Sequence, residues 1–246
     1  MKSFKHYLAE ELPTKEISAK EFPNPLNARL KAIFMKKGEM DGNPSDDIVK
    51  TKPKSWTARK LQPSQSAIYL GKTLGMAVGG VKGGDLGAMV SKDKRILDGH
   101  HRWAATMLAE PDAKITGIEA DLGIGDLVPV LRALGDAIGN TRRGEPAGGD
   151  VNLFKATIKD AMEALTTGKN MNPKFYDKNK SIAWLESIGG EAGLKERLKE
   201  VQRHMPPKGA PPRIDMPVID ADKGDERQAA SMLRKGQIDV RAPYAK

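Results

Sequence analysis

One segment organises this sequence, and it reads Ile96-Leu97-Asp98-Gly99-His100-His101-Arg102-Trp103-Ala104-Ala105. Apolar residues typical of a strand, a tight Asp-Gly turn and the start of an amphipathic helix follow one another within a few positions. The amide groups at the start of a helix together carry about half a positive charge and bind phosphate groups. Gly99 allows close approach of the backbone to a ligand, and His100, His101 and Arg102 add donors for phosphate oxygens. The segment therefore predicts a phosphate-binding site.

Two other interpretations of this segment stay open. Asp98 is a candidate N-cap whose carboxylate would accept a hydrogen bond from the amide of His100 or His101, which is a purely structural role. A zinc site is the third interpretation, although neighbouring helical positions diverge by about 100° and no third ligand stands at metal spacing. We assign phosphate binding to Gly99, His100, His101 and Arg102, candidate catalytic roles to Asp98 and His101, and no residue to a metal.

The residues around this segment predict further strands and helices. Two short apolar runs, Leu86–Val90 and Arg95–Leu97, are joined by the polar turn 91–94, which is typical of a β-hairpin. The spacing of apolar residues over His100–Leu108 predicts a helix that Pro111 closes, and Ile115–Leu122 has the composition of a further strand.

Upstream of the hairpin, Ser64 follows a proline and precedes apolar residues at helical spacing, so we predict a helix from Ser64 to Val78 with Ser64 as its N-cap. Gly71-Lys72-Thr73 imitates the end of a phosphate-binding P-loop. That loop needs a glycine where this chain has Ser66, and inside a helix the amides of the triplet would already be bonded. Glycine and proline interrupt residues 41–54, which we predict to be a loop.

The chain after residue 123 predicts mostly helices. A Gly-rich stretch at residues 144–149 and a Pro-rich stretch at residues 205–212 are the candidate linkers. We predict an α+β fold in four parts: a leader over residues 1–11, a sheet-containing domain over 12–122, a helical domain over 123–204, and a Pro-rich linker and tail over 205–246 with a short helix at Asp225–Arg234. The predicted helix faces are Leu127/Leu131/Leu134/Ile138, Phe154/Ile158/Met162/Leu165 and Leu194/Leu198/Val201.

Composition excludes several classes of protein. The chain has 246 residues and no cysteine, which excludes disulfide scaffolds, thiolate metal sites and cysteine nucleophiles. No apolar run approaches the ~20 residues of a membrane span, and the first residues lack the apolar core of a signal peptide. We therefore expect a cytoplasmic protein with no membrane partner. The net charge of +9 favours a phosphate-bearing partner, but it is spread evenly along the chain.

The motif residues Asp98-Gly99-His100-His101-Arg102 resemble the strand–turn–helix motif of the ParB/sulfiredoxin superfamily. A second similarity lies upstream, where Ile17 resembles the family's first strand and Phe22–Arg29 its Asn-Pro-x-Asn-x-Arg turn. The resemblance covers residues 12–122 and implies a ParB/sulfiredoxin-like small mixed sheet that binds a nucleotide at the helix start. The catalytic cysteine of sulfiredoxins would fall at His100, so the cysteine-free chain is not a sulfiredoxin. The Gly-Glu-Arg-Arg form of the partition proteins is not kept either.

The Asp-Gly-His-His-Arg form looks closest to the kinase-like branch of the superfamily and to phage-encoded ParB-like proteins. In the kinase-like branch an acidic residue activates the acceptor hydroxyl, and the candidates here are Asp98 and Glu21. The first dozen residues are similar to the leader of virion proteins in tailed phages. If the chain is phage-encoded, we expect it in the host cytoplasm or in the virion.

These observations predict a nucleotide-binding protein in which Mg²⁺ accompanies a nucleoside di- or triphosphate, and which hydrolyses the nucleotide or transfers its phosphate. One alternative is a DNA-binding ParB-like nuclease whose charge provides non-specific affinity. The other is a phage virion or accessory protein that keeps the fold without turnover and binds other phage proteins.

Overall fold

The computed structural model describes residues 51–137, 149–174 and 176–218, which form an α+β fold. The strands are β1 (Thr51–Thr57), β2 (Gln62–Pro63), β3 (Gly84–Ser91), β4 (Arg95–Asp98) and β5 (Lys114–Ala120). They form one sheet in the order β1-β5-β3-β4-β2. The predicted small mixed sheet is therefore confirmed.

Six α-helices lie in the described residues, and most of the chain after β5 is helical. Their bounds are Leu70–Val78 for α1, His100–Ala109 for α2, Ile124–Ala137 for α3, Ile158–Thr167 for α4, Lys178–Ser187 for α5 and Gly190–Arg203 for α6. The prediction of a mostly helical C-terminal part is confirmed.

Strand β3 lies at the centre of the sheet. It pairs parallel with β5 and antiparallel with β4, while β1 pairs antiparallel with β5 and the short β2 pairs parallel with β4. The β3–β4 pair is the predicted hairpin. Its turn closes with a hydrogen bond from the Lys94 amide to the Ser91 carbonyl at 2.9 Å, and Lys94 takes a left-handed φ of 62°.

One face of the sheet carries the main hydrophobic core. Trp56, Ala88, Val90, Ile96 and Ile115 are all buried on it and belong to one cluster with residues of α1 and α2. Because side chains alternate along a strand, the neighbouring buried residues Met89 and Leu97 point to the opposite face. The layer of α1 and α2 therefore lies on the face that holds Ala88.

Helices α4 and α6 extend this same core. Their buried residues Ala161, Leu165, Leu194 and Leu198 belong to the cluster that contains the sheet residues, and α6 contacts α2 while α4 contacts α1. The change from a sheet to a helical pattern near residue 123 thus does not interrupt the hydrophobic core.

Three predicted boundaries were wrong. The helix predicted from Ser64 begins at Leu70. The Ser64 amide is bonded instead to His100, 36 positions away, and the Ser64 hydroxyl to Ile96, 32 positions away. The loop predicted for residues 41–54 was wrong for residues 51–54, because β1 begins at Thr51 and pairs along β5. Phe154 does not lie on α4 but in a 3-10 turn, since a Thr157–Asp160 capping box starts α4 at Ile158.

Some predicted features lie outside the described residues. They are the leader 1–11, Ile17, Glu21, the Phe22–Arg29 turn, Ile138, most of the Gly-rich linker and the Asp225–Arg234 helix. Within the described residues, no helix has both the length and the apolar content needed to cross a membrane.

Candidate functional site

The predicted strand–turn–helix segment is present, and Gly99 forms its turn. Gly99 has φ 98°, a left-handed conformation that disfavours any residue with a Cβ. It also lies against the sheet, because a Cβ placed on it would be 3.3 Å from the Cβ of Ala88. The first hydrogen bond of α2 runs from the Trp103 amide to the Gly99 carbonyl at 2.8 Å. The amides of residues 100–102 therefore precede the first intrahelical bond.

His100 is buried and binds the segment that precedes α1. Only 4% of its surface is exposed, and its Nε2 accepts a hydrogen bond from the Ser64 amide at 3.2 Å. The Ser64 hydroxyl in turn donates to the Ile96 carbonyl of β4. His100 thus joins the start of α2 to the segment 64–69, which we call the anchored loop.

His101 makes the equivalent contact at the other end of the anchored loop. Its Nε2 accepts a hydrogen bond from the Tyr69 amide at 3.1 Å, and the two rings lie 5.7 Å apart. Since a backbone amide only donates, the Nε2 of His100 and of His101 carries no proton, and each neutral ring holds its proton on Nδ1. The sequence predicts that both imidazoles donate to phosphate oxygens. The structure instead engages the Nε2 of each as an acceptor.

Arg102 and Asp98 are the half-exposed charged residues of the motif. The Arg102 guanidinium donates to the Asp98 carboxylate at 3.0 Å, and their side chains are 36% and 38% exposed. The Nε of Arg102 is buried without a hydrogen-bond partner in the part of the chain that the structure describes. An ion pair this exposed contributes about 0–1 kcal/mol, so an anionic ligand can compete with Asp98 for Arg102.

The N-cap interpretation of Asp98 was wrong. The N-cap position of α2 is Gly99, and the described structure contains no side-chain capping hydrogen bond at that position. Asp98 is the last residue of β4, and its carboxylate bonds to Arg102, one helical turn further along.

A bulge in β3 adds residues that sequence analysis did not single out. The pairing of β3 with β5 shifts register between Asp85 and Ala88. Gly87, in the bulge, has φ 56° and donates its amide to the Asp85 carboxylate at 3.1 Å. The Gly87 carbonyl lies 3.4 Å from the Arg102 guanidinium. The glycines around residue 87 were the available signal, because isolated glycines in a strand often mark a bulge.

The Gly71-Lys72-Thr73 triplet lies in the first turn of α1. Its amides are bonded, as predicted, but only the Thr73 amide is bonded to the helix backbone, at the Tyr69 carbonyl at 3.0 Å. The amides of Gly71 and Lys72 donate to the two carboxylate oxygens of Asp150 at 3.0 Å and 3.3 Å. Burial raises the pKa of Asp150 despite these two hydrogen bonds. A carboxylate of the chain itself therefore occupies the anion position that a P-loop offers to phosphate.

A second charged cluster, the Lys52–Glu119–Lys54 cluster, joins β1 and β5. Glu119 is buried with 6% of its side chain exposed, and it binds Lys54 and, at 3.2 Å, Lys52. Burial alone would raise the pKa of Glu119, but the hydrogen bonds from Lys54 and Lys52 outweigh it and hold the pKa below its usual range.

The cluster predicts an acid-sensitive contribution to stability. Because the pKa of Glu119 is lower in the folded chain, its contribution to stability is present at neutral pH and is lost progressively as the pH falls below about 5. We expect Glu119→Gln to reduce the fall in Tm across this range. The exposed Glu110 provides the control variant Glu110→Gln. Equal falls in Tm for Glu119→Gln and the unmodified protein would contradict this prediction.

No group of three or more His, Asp or Glu side chains suited to a metal ion occurs among residues 51–137, 149–174 and 176–218. Comparisons with protein-family models, curated proteins and solved structures find no match to the chain. The ParB/sulfiredoxin resemblance therefore depends on the motif residues and remains a prediction.

Proposed function

We propose that this chain is a ParB-like protein that binds a nucleotide with Mg²⁺ at the start of α2 and hydrolyses it or transfers its phosphate. The observation that carries the proposal is the half-exposed Arg102 beside the left-handed Gly99, with its buried Nε lacking an acceptor among the described residues. A phosphate at the first amides of α2 would offer acceptors both to those amides and to Arg102.

The charges around the motif are the reason why we propose that nucleotide binding requires Mg²⁺. Asp98 lies 3.0 Å from the Arg102 guanidinium, so a phosphate bound to Arg102 would stand close to a carboxylate and be repelled by it. The Asp98 carboxylate and the phosphate oxygens could serve as oxygen ligands of Mg²⁺, whose charge would offset this repulsion. The motif 98–102 contains one carboxylate, so phosphate oxygens and water would complete the coordination. Asp98 is the motif residue that fits Mg²⁺.

The contacts of the motif separate binding residues from positioning residues. Arg102 and the amides of α2 bind the phosphate, while His100 and His101 position the anchored loop through Ser64 and Tyr69. Of the two candidates for proton transfer, the half-exposed Asp98 is better placed than the buried His101. The Nε2 of His101 is already engaged by the Tyr69 amide.

The proposal predicts that Arg102→Gln weakens nucleotide binding. A hydrogen bond to a charged group contributes about 1.5–3 kcal/mol, so we expect the Kd to rise by about tenfold to a hundredfold. Titration calorimetry with ATP, CTP and ADP, each with Mg²⁺ and with EDTA, measures this effect. Arg203→Gln is the matched control, because Arg203 also forms an exposed ion pair, with Glu200 at 2.9 Å.

Binding that requires Mg²⁺, is weakened by Arg102→Gln and is unchanged by Arg203→Gln would support the proposal. A folded protein that releases no heat with any of the three nucleotides would contradict it. The remaining hypotheses would then be a DNA-binding nuclease and a virion or accessory protein.

A further inference from the structure

The strand register places a lysine in one row of paired residues with Ala88, which lies next to the start of α2. Ala88 of β3 pairs with Gly117 of β5, and Gly117 pairs with Lys54 of β1. Directly paired residues of neighbouring strands point to the same face of a sheet. Since Gly99 lies against the side chain of Ala88, Lys54 stands on the face over which α2 begins.

The middle position of this row carries no side chain. Gly117 has no Cβ, and a Cβ built there would lie 2.1 Å from the carbonyl oxygen of Ala88. Neighbouring strands are about 4.8 Å apart, so Lys54 lies about 10 Å along the sheet from Ala88. No side chain of β5 in this row stands between the start of α2 and Lys54.

The Lys52–Glu119–Lys54 cluster has an excess positive charge on this face. Two ammonium groups bind one carboxylate, which leaves one positive charge uncompensated within the cluster. Lys52 is 68% exposed and Lys54 is 40% exposed, while Glu119 is buried. Lys54 can therefore reach a second anion while Lys52 continues to neutralise Glu119.

Trp56 adds a buried hydrogen-bond donor next to Lys54. Its side chain is two positions further along β1 on the same face, with its ring centroid 6.0 Å from the Lys54 Nζ. The residue is only 6% exposed, and its indole N–H has no acceptor among the residues the structure describes. Buried indole N–H groups usually have a hydrogen-bond partner. The Trp56 indole could therefore donate a hydrogen bond to an acceptor atom of a ligand bound beside Lys54.

We propose that Lys54, held by Glu119, binds a second phosphate group of the ligand at α2, so that the ligand is a polyphosphate chain such as that of a nucleoside di- or triphosphate. This inference rests on the proposed function. A single phosphate at the first amides of α2 occupies one end of the row, whereas a chain of two or three phosphates extends towards Lys54.

Inorganic anions test this inference without a nucleoside. Titrations at constant ionic strength compare orthophosphate with tripolyphosphate, each with Mg²⁺. The proteins are the unmodified protein, Lys54→Gln, Lys54→Arg, Lys114→Gln and Arg102→Gln. Lys114 is the matched control because it is an exposed lysine of β5, adjacent to Ile115 and hence on the opposite face. The Gln amide still donates to Glu119, so Lys54→Gln removes the charge and keeps a hydrogen bond.

We expect Lys54→Gln to weaken tripolyphosphate binding by about tenfold and to leave orthophosphate binding unchanged. Lys54→Arg should retain the affinity for tripolyphosphate, and Lys114→Gln should have no effect. If Lys54→Gln fails to fold in a thermal melt, Lys52→Gln removes the excess charge and should produce a smaller loss, specific for tripolyphosphate.

Two outcomes overturn the inference, and they differ in what they say about the proposed function. If Arg102→Gln weakens the binding of both anions while the lysine variants match the unmodified protein, Lys54 is not a ligand residue and the proposed function stands. If the folded, unmodified protein binds neither anion, the proposed function and this inference both fail.

Discussion

Gly117→Ala is expected to destabilise the fold by about 3 kcal/mol or more, at the upper end of the cost of overpacking. The added Cβ would lie 2.1 Å from the carbonyl oxygen of Ala88 and 2.9 Å from its carbonyl carbon. These atoms are backbone in the central strand β3, so no side-chain rotation relieves the overlap. Strand β5 would have to move away from β3 and weaken the pairing at the β3 bulge.

Gly125→Ala is the matched control for Gly117→Ala. Gly125 lies in α3, where a Cβ meets no heavy atom within 4 Å in the described structure. Alanine in a helix is favoured over glycine by about 1 kcal/mol, so this variant should be slightly more stable. Urea unfolding followed by circular dichroism measures both changes. Equal stability of Gly117→Ala and the unmodified protein would show that β3 and β5 are not this close.

His101→Ala is expected to lower the free energy of unfolding by about 3 kcal/mol, because it removes a buried ring and leaves a buried amide without its acceptor. The amide is that of Tyr69, which donates to the His101 Nε2 at 3.1 Å. His100→Ala should have a similar effect through Ser64. His101→Gln should cost less, about 1 kcal/mol, since its side-chain oxygen can accept the same hydrogen bond.

Amide hydrogen exchange distinguishes this positioning role from a ligand-binding role. In the absence of ligand, His101→Ala should increase exchange at the Tyr69 amide, and His100→Ala should increase it at the Ser64 amide. His101→Gln should keep the Tyr69 amide protected. Unchanged protection at Tyr69 in His101→Ala would mean that the imidazole does not hold the anchored loop.

Local patterns along the chain were sufficient to predict the elements at the centre of the sheet. The hairpin of β3 and β4, the left-handed turn at Gly99 and helix α2 all follow from short-range spacing and turn chemistry, because their first hydrogen bonds join residues close in sequence. Helix α5 was not singled out. Its sequence has weak amphipathic character, with Ser181 buried and Ile182 38% exposed.

The start of α1 shows where local patterns were misleading. Ser64 has the residue type and position of an N-cap, but its amide bonds to His100, 36 positions away. The amides that begin α1 are instead capped by Asp150, which is 79 positions from Gly71. Sequence spacing does not identify these partners, because they lie far apart in the chain and meet only in the folded structure.

The amino-acid sequence was sufficient to predict the α+β class, the strand–turn–helix at residues 96–105 and the absence of thiol chemistry, since each depends on composition or on neighbouring residues. The tertiary structure decided what the motif residues contact. It buried His100 and His101 against the anchored loop, left Arg102 half-exposed beside Asp98 and aligned Lys54 with Gly117 and Ala88. Hydrogen-bond partners and strand register join residues far apart in the chain, so only the folded packing could specify them.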